Sequence, residues 1–264
     1  MAAIELPRHY RPDLVLRYLG RDSDSLCERV EGHTVYKAGL TITLDKQTAI
    51  VDGNAAIARR LLGLTYDIAP FERAHPDLVR GHEGARLPQT ATVWESLMWA
   101  IVGQQVNLPF AYRLRRVLVE LCGPAAANGL REHPRAAAVA QLDYADLTAR
   151  QFSRSKAQYV IDTARLIAAG SLPVETFPSL ASEEVETALT SVRGIGAWTA
   201  NYVMMRGCAF PDCVPAGDSA LSASLREWFA LDHKVDAHET RTLMQRFAPW
   251  RSLATYHFWL RRTV

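Results

Sequence analysis

The chain is poor in cysteine. It has four in 264 residues, Cys27, Cys122, Cys208 and Cys213, and no C-x-x-C pair among them. That spacing argues against a zinc site or an iron–sulfur cluster. Cys208 and Cys213 are near neighbours, but their separation is a weak metal motif. Four reduced, mostly buried thiols are the expectation. An excess of one charge is also missing: 30 Lys and Arg oppose 28 Asp and Glu, a net charge of +2. Bulk electrostatics therefore cannot drive binding to a polyanion. A nucleic-acid partner would have to be held by a local patch and by backbone groups. Long apolar runs are absent too. No stretch approaches the roughly 18–20 residues of a membrane span, and Met1 to Tyr10 lacks a signal-peptide core. A cytosolic chain with no membrane partner is expected. There is no internal repeat and no low-complexity tract. The composition, 48% hydrophobic and 22% charged, suits one large globular domain or two modest ones.

Two regions differ in period. Up to about residue 75, apolar/polar alternation predicts a strand at Leu40–Leu44; Thr34–Tyr36 and Ala49–Val51 also read as short strands, with a turn at Asp52-Gly53. Asp13–Leu19 and Asn54–Leu62 read as helices, the second ended by Gly63. The expectation is a small α+β domain over residues 1–75 with an antiparallel sheet. From residue 76 to 264 the period is helical. Val93, Leu97, Ile101 and Leu108 keep one helix face. Further helices are predicted at 112–121, 142–147, 156–169, 183–191, 197–206, 219–229 and 237–247. The fold class is α+β, with the second domain all-helical.

Two segments carry chemistry. In Leu189-Thr-Ser-Val-Arg-Gly-Ile-Gly-Ala-Trp-Thr-Ala200 a helix ends, Gly194-Ile195-Gly196 turns, and a new helix begins. The glycines allow positive φ and close backbone approach, and the new helix offers free N–H groups at its positive end, the parts of a phosphate site. A plain helix-turn-helix corner would look the same. Downstream, Pro215-Ala-Gly-Asp218 places a carboxylate just before a helix. Asp is a favoured N-cap, and capping is the simpler explanation; a capped carboxylate is also a rigidly oriented one.

These segments, in this order and roughly 20 residues apart, resemble the helix-hairpin-helix-GPD superfamily of DNA glycosylases, in particular its bacterial alkylated-base branch, the 3-methyladenine DNA glycosylase II (AlkA-like) enzymes. Trp94-Glu-Ser-Leu-Met-Trp-Ala-Ile-Val-Gly-Gln-Gln-Val106 is similar to that family's helix before its DNA-inserting loop. Ser155-Lys-Ala-Gln158 is similar to a segment that opens a later helix. Pro249-Trp-Arg-Ser252 and His257-Phe-Trp259 resemble its final motifs. The likeness covers roughly residues 80–260, and more weakly the N-terminal strands.

The resemblance implies roles by position. Asp218 matches the catalytic aspartate. Trp198, Tyr202 and Trp259 match aromatic positions of the base pocket, and Gln105 matches the wedge that fills the gap left by the flipped base. Arg193, Gly194, Ile195, Gly196 and Ala197 match the DNA-binding hairpin. The carbonyls of Thr190, Val192 and Gly194 match positions that hold a monovalent cation, so a structural sodium is implied and no other cofactor. The implied partner is double-stranded DNA with alkylated bases, in a bacterial cytoplasm and beside the nucleoid, with the enzyme a monomer. The chain departs from the pattern in Gln105 where the wedge is usually apolar, in Arg193 where a proline is usual, and in Ser219 where an aromatic follows the aspartate. Superfamily enzymes that also cut the backbone carry a lysine two positions after the second hairpin glycine. Trp198 stands there, so simple hydrolysis is implied. A glycosylase for another lesion and a non-catalytic binder of damaged DNA stay open. Arg113, Arg115 and Arg116, and Arg150, Arg154 and Lys156, form basic clusters that could meet phosphates. Trp94, Trp99, Trp228 and Trp250 are expected in the core, and His233, His238 and His257 at the surface or in structural roles.

Overall fold

The computed structural model describes residues 1–262. Strand β1 (Ala2–Glu5) and helix α1 (Pro12–Leu19) are followed by β2 (Glu28–Glu31), β3 (Thr34–Lys37), β4 (Leu40–Leu44) and β5 (Thr48–Asp52). The strands form one antiparallel sheet in the order β1-β5-β4-β3-β2. Leu40, Ile42 and Leu44 of β4 are buried. Ile42 pairs with Val51 and Leu44 with Ala49, so both strands bury the same face. Strands β3 to β5 fall where the sequence predicts them, β4 by its alternation. Strands β1 and β2 are additional. Both are sheet edges, and the charges of Glu28-Arg-Val-Glu31 suit an edge that must not pair further; they also hide the period.

Helix α2 (Ala55–Leu61) is capped by Asn54, whose side-chain oxygen accepts from Ala56 N and Ile57 N, and is terminated at Gly63 with φ +68°. The rest is helical: α3 (Ala69–Ala74), α4 (Pro76–Val79), α5 (Val93–Gly103), α6 (Leu108–Cys122), α7 (Ala136–Val139), α8 (Tyr144–Thr148), α9 (Arg154–Ala168), α10 (Ser182–Thr190), α11 (Ala197–Arg206), α12 (Ser219–Trp228), α13 (Ala237–Met244) and α14 (Arg251–Leu260). The apolar period from Val93 does not run through Leu108 in one helix. It breaks at Gln104–Asn107, and Asn107 caps α6 by accepting from Phe110 N at 2.9 Å. Helix α14 has no amphipathic signature because Ser252 through Phe258 are all buried, and a helix enclosed on every side shows no polar face.

Two hydrophobic clusters result. One gathers the helices, among them Leu97, Met98, Ile101, Val203 and Phe258. The other lies against the sheet, with Ile4, Val35, Ile42, Val51 and Leu62. Helix α1 serves both, since Leu14 belongs to the first and Val15 to the second. This places the end of α1 within reach of the helical part.

A buried ion group joins the sheet to the helices. Arg115 of α6 holds Glu28 of β2 with two nitrogens and lies 3.5 Å from Glu95 of α5. Lys37 of β3 bonds Glu28 at 3.0 Å and Glu95 at 3.3 Å. Burial opposes ionisation of Glu28, but Arg115 and Lys37 outweigh it and hold the carboxyl well below the usual range. Arg115 is therefore an internal tie and is not free to meet a phosphate, contrary to the cluster reading. Removing one partner of such a group leaves a buried charge uncompensated. Arg115→Met is expected to cost about 3 kcal/mol, read as a lower urea midpoint at unchanged slope; an unmoved midpoint would contradict the tie.

Candidate functional site

Helix α10 ends at Thr190, the chain turns through Gly194-Ile195-Gly196, and α11 begins at Ala197. Only one of the two glycines uses the left-handed region. Gly194 has φ +89°, and a Cβ there would overlap the Tyr159 ring. Gly196 is the N-cap of α11 at φ −91°, with nothing within 4 Å of an added Cβ. Gly194 thus meets a demand of the fold, whereas Gly196 leaves an open face. Ile195 is buried and tucks the loop against its helices. The first intrahelical bond of α11 runs from Ala200 N to Gly196 O (3.0 Å). The amides before it point out of the helix start, and Arg193 is exposed beside them.

Asp218 sits at the N-cap of α12. Its Oδ1 accepts from Leu221 N at 2.8 Å and from Trp259 Nε1 at 3.0 Å, and its Oδ2 accepts from Trp198 Nε1 at 3.3 Å. Capping and orientation coincide, as the sequence allows. Two of the three predicted pocket aromatics hold the carboxylate as well as line the space beside it. Trp198 and Tyr202 stack at 5.5 Å and 26°, and Trp259 lies tilted at 6.3 Å from Tyr202.

Asp218, Trp198, Tyr202, Trp259, Gln105 and Arg193 line one cleft of about 1390 Å³. Ala197, the first residue of α11, does not line it. Among the residues that line this cleft without having been assigned to it are Tyr18, Arg21, Trp99 and Arg206. Trp99 packs against the helical core as expected and also lines the cleft. It stacks on Tyr112 at 5.4 Å and faces the cleft. Arg206 lies 4.3 Å from the Tyr18 ring and 5.4 Å from that of Trp259, and Arg21 is 3.7 Å from Tyr18. Burial pushes the Tyr18 phenol up, and Arg206 and Arg21 together outweigh it, holding the group below the usual tyrosine range. Arg206 had a signal in the sequence: Trp198, Tyr202 and Arg206 recur every fourth residue, one face of a helix. Tyr18 and Arg21 had none, since only tertiary packing carries α1 to the cleft.

The loop between α5 and α6 projects Gln105 in the left-handed region at φ +54°. It is exposed. The basic clusters divide. Arg113, Arg150 and Arg154 are exposed. Arg116 pairs with Asp24 at 2.8 Å, and Lys156 is buried with its amine on backbone carbonyls. The implied cation set fits only in part. The Val192 carbonyl already accepts from Ile195 N (3.0 Å) and that of Gly194 from Gln104 Nε2 (2.9 Å), so no step below is routed through an ion. Among the described residues, no cluster of His, Cys, Asp and Glu is placed to hold a metal. The thiols of Cys27, Cys208 and Cys213 are buried, which pushes each up to about 12. No described helix is long and apolar enough to cross a membrane.

His257, two residues before Trp259, is 1% exposed, and neither ring nitrogen has a partner among the described residues. Burial, reinforced by His82 and Arg261, pushes it down to about 3. Unfolded histidine titrates near 6.5, so the native state binds fewer protons below that pH. The stability from a neutral His257 is therefore complete above about pH 6.5 and lost as pH falls. About 2 kcal/mol is expected to be gone by pH 5. Thermal melts at pH 7 and pH 5 check this: His257→Phe is expected to lose less stability over that interval than the wild type, and equal losses would refute it.

The chain has recognisable relatives. Residues 98–249 match the family described as HhH-GPD superfamily base excision DNA repair protein. The Bacillus subtilis (strain 168) protein named DNA-3-methyladenine glycosylase is 34% identical over 205 residues, 74% of this chain and 68% of that protein. A second Bacillus subtilis protein, YfjP, is 35% identical over 178 residues, 67% of this chain and 62% of its own length; the chain thus spans less than two thirds of that relative. In structure, the 3-methyladenine DNA-glycosylase from Archaeoglobus fulgidus superposes with a TM-score of 0.82 at 23% identity, covering 99% of this chain and 98% of that one. That likeness bears on the fold, and it includes the N-terminal sheet. With the hairpin, the carboxylate at the helix start and the sheet-plus-helices architecture all in place, the chain belongs to the HhH-GPD superfamily of base excision DNA repair proteins.

Proposed function

We propose that the protein is a monofunctional DNA glycosylase. It hydrolyses the N-glycosidic bond of alkylated bases such as 3-methyladenine and 7-methylguanine in duplex DNA and leaves an abasic site, acting as a monomer on chromosomal DNA. The observation that carries the reading is Asp218, oriented by Trp198, Trp259 and Leu221 N at the side of an aromatic cleft that also contains the hairpin. The names of its Bacillus subtilis and Archaeoglobus fulgidus relatives support the substrate class.

Each part has a physical task. Amides at the start of α11, with Gly196 leaving the approach open, bind a backbone phosphate, and Arg193 adds charge. Gln105 enters the duplex and takes the place of the extruded nucleotide. The base stacks among Trp198, Tyr202 and Trp259; a cationic base gains about 0.5–2 kcal/mol there. Cleavage passes through an oxocarbenium-like sugar, whose positive charge the Asp218 carboxylate stabilises while water adds. An alkylated purine is already a good leaving group, so one carboxylate suffices. Trp198 offers no amine, so no Schiff base forms and the strand is left uncut. Residues 1–75 act as a unit that also lends Tyr18 and Arg21 to the pocket.

Arg21 and Arg206 lie against Tyr18 and Trp259 in the same cleft, which favours a neutral lesion base as the second reading. A panel of duplexes carrying 7-methylguanine, 3-methyladenine, 8-oxoguanine or uracil tests the reading. Release of the methylated bases, with no protein–DNA adduct trapped by borohydride, is expected. Release of 8-oxoguanine or uracil alone, or a trapped adduct, would overturn it.

A further inference from the structure

We propose that Lys156 is a positioning residue for the DNA-inserting loop: from α9 it fixes the turn at Gln104-Gln105, and Gln104 ties that turn to the hairpin, so wedge and phosphate grip form one rigid unit. The inference rests on the wedge role given to Gln105 above.

Helix α5 stops at Gly103, and apart from a 3.3 Å bond from Gln104 N to Ile101 O its last carbonyls are left for partners outside the helix. The Lys156 amine donates to three carbonyls there: Ile101 at 3.0 Å, Val102 at 2.9 Å and Gln104 at 2.9 Å. Three protons meet three acceptors, which exhausts an ammonium, and the site is the negative end of the helix dipole. Lys156 is 8% exposed. A charge that deep is costly unless fully bonded, whereas ending a helix needs only a glycine or water. The arrangement does more than end a helix. The next residue, Gln105, holds a left-handed backbone at φ +54° without being glycine, a strained conformation that persists only where its surroundings impose it. The neighbouring Gln104 donates from Nε2 to Gly194 O at 2.9 Å and to Thr199 Oγ1 at 3.0 Å. A continuous set of bonds therefore runs from α9 through the loop to the hairpin turn and the first turn of α11.

The test separates extrusion from bond cleavage. Single-turnover excision of one methylated purine is measured in intact duplex and in a duplex whose opposite strand is gapped at the lesion, where extrusion is cheap. In parallel, 2-aminopurine beside the lesion reports extrusion by fluorescence, independently of base release. Lys156→Met is expected to lose about tenfold to a hundredfold in duplex and little on gapped DNA, with a matching loss of fluorescence change. Lys156→Arg is expected to restore part of it. Gln104→Met is expected to show the same pattern, and the double variant to be no worse than the single ones, as members of one unit behave. Equal loss by Lys156→Met on both DNAs, or no loss while Gln105→Ala shows the duplex-selective defect, would overturn the clamp alone. If Gln105→Ala shows no duplex-selective defect, the wedge assignment falls and the clamp with it. Should Lys156→Met fail to fold, Gln104→Met decides by the same two readings.

Discussion

Asp218→Asn is expected to fold like the wild type and to release methylated bases at least ~1000-fold more slowly. Asparagine caps a helix as well as aspartate does, so the bond from Leu221 N at 2.8 Å persists, as does the one from Trp259 Nε1 at 3.0 Å. What disappears is the negative charge, and with it the stabilisation of the positive sugar in the transition state. The amide also turns a donor toward Trp198 Nε1, which now donates to Oδ2 at 3.3 Å, so that indole loses its acceptor. Thermal melting and single-turnover kinetics on one preparation separate the two consequences. A variant that melts as the wild type does and releases no base supports the assignment. A variant with substantial turnover shows that the charge acts elsewhere.

The second large effect is expected at Gly194. In Gly194→Ala the left-handed φ of +89° costs about 1–2 kcal/mol, and the methyl group overlaps the Tyr159 ring, adding about 1–3 kcal/mol if the packing must yield. The hairpin is also where Gln104 anchors, on the Gly194 carbonyl. Destabilisation of about 2–5 kcal/mol in sum and a severe loss of DNA affinity are expected. Gly196→Ala is the contrasting case. Its backbone is ordinary and its surroundings empty, so melting is expected to change little while the methyl group obstructs a phosphate. Fluorescence-anisotropy titrations beside melting curves distinguish them. If both variants bind DNA as the wild type does, the hairpin is a corner and not a phosphate site.

What was legible in the sequence follows a physical line. Local signals survived: Gly194-Ile195-Gly196 as a turn, Asp218 as a cap, Trp198 and Tyr202 one helical turn apart. Strand β4 announced itself by alternation because one face is buried and the other wetter. Features set by tertiary packing were not legible. Arg115 and Lys156 look like surface charges in a linear sequence, yet the fold closes over both and supplies anions to one and carbonyls to the other. Tyr18 and Arg21 reach the cleft only because α1 lies between two cores. Helix α14 carries Trp259 and His257 but is buried on all sides, so it lacks the polar face that marks a surface helix. The double use of Trp198, lining the pocket and donating to Asp218, is a matter of indole orientation that no spacing encodes.

The central claim is most directly tested by incubating the protein with N-methylated duplex DNA, identifying freed bases by chromatography, and sizing the strands before and after alkali, with Asp218→Asn beside the wild type. Free methylated purines from the wild type alone, with strand breaks appearing only after alkali, are predicted. Tight binding with no base released, or breaks that need no alkali, would contradict the account.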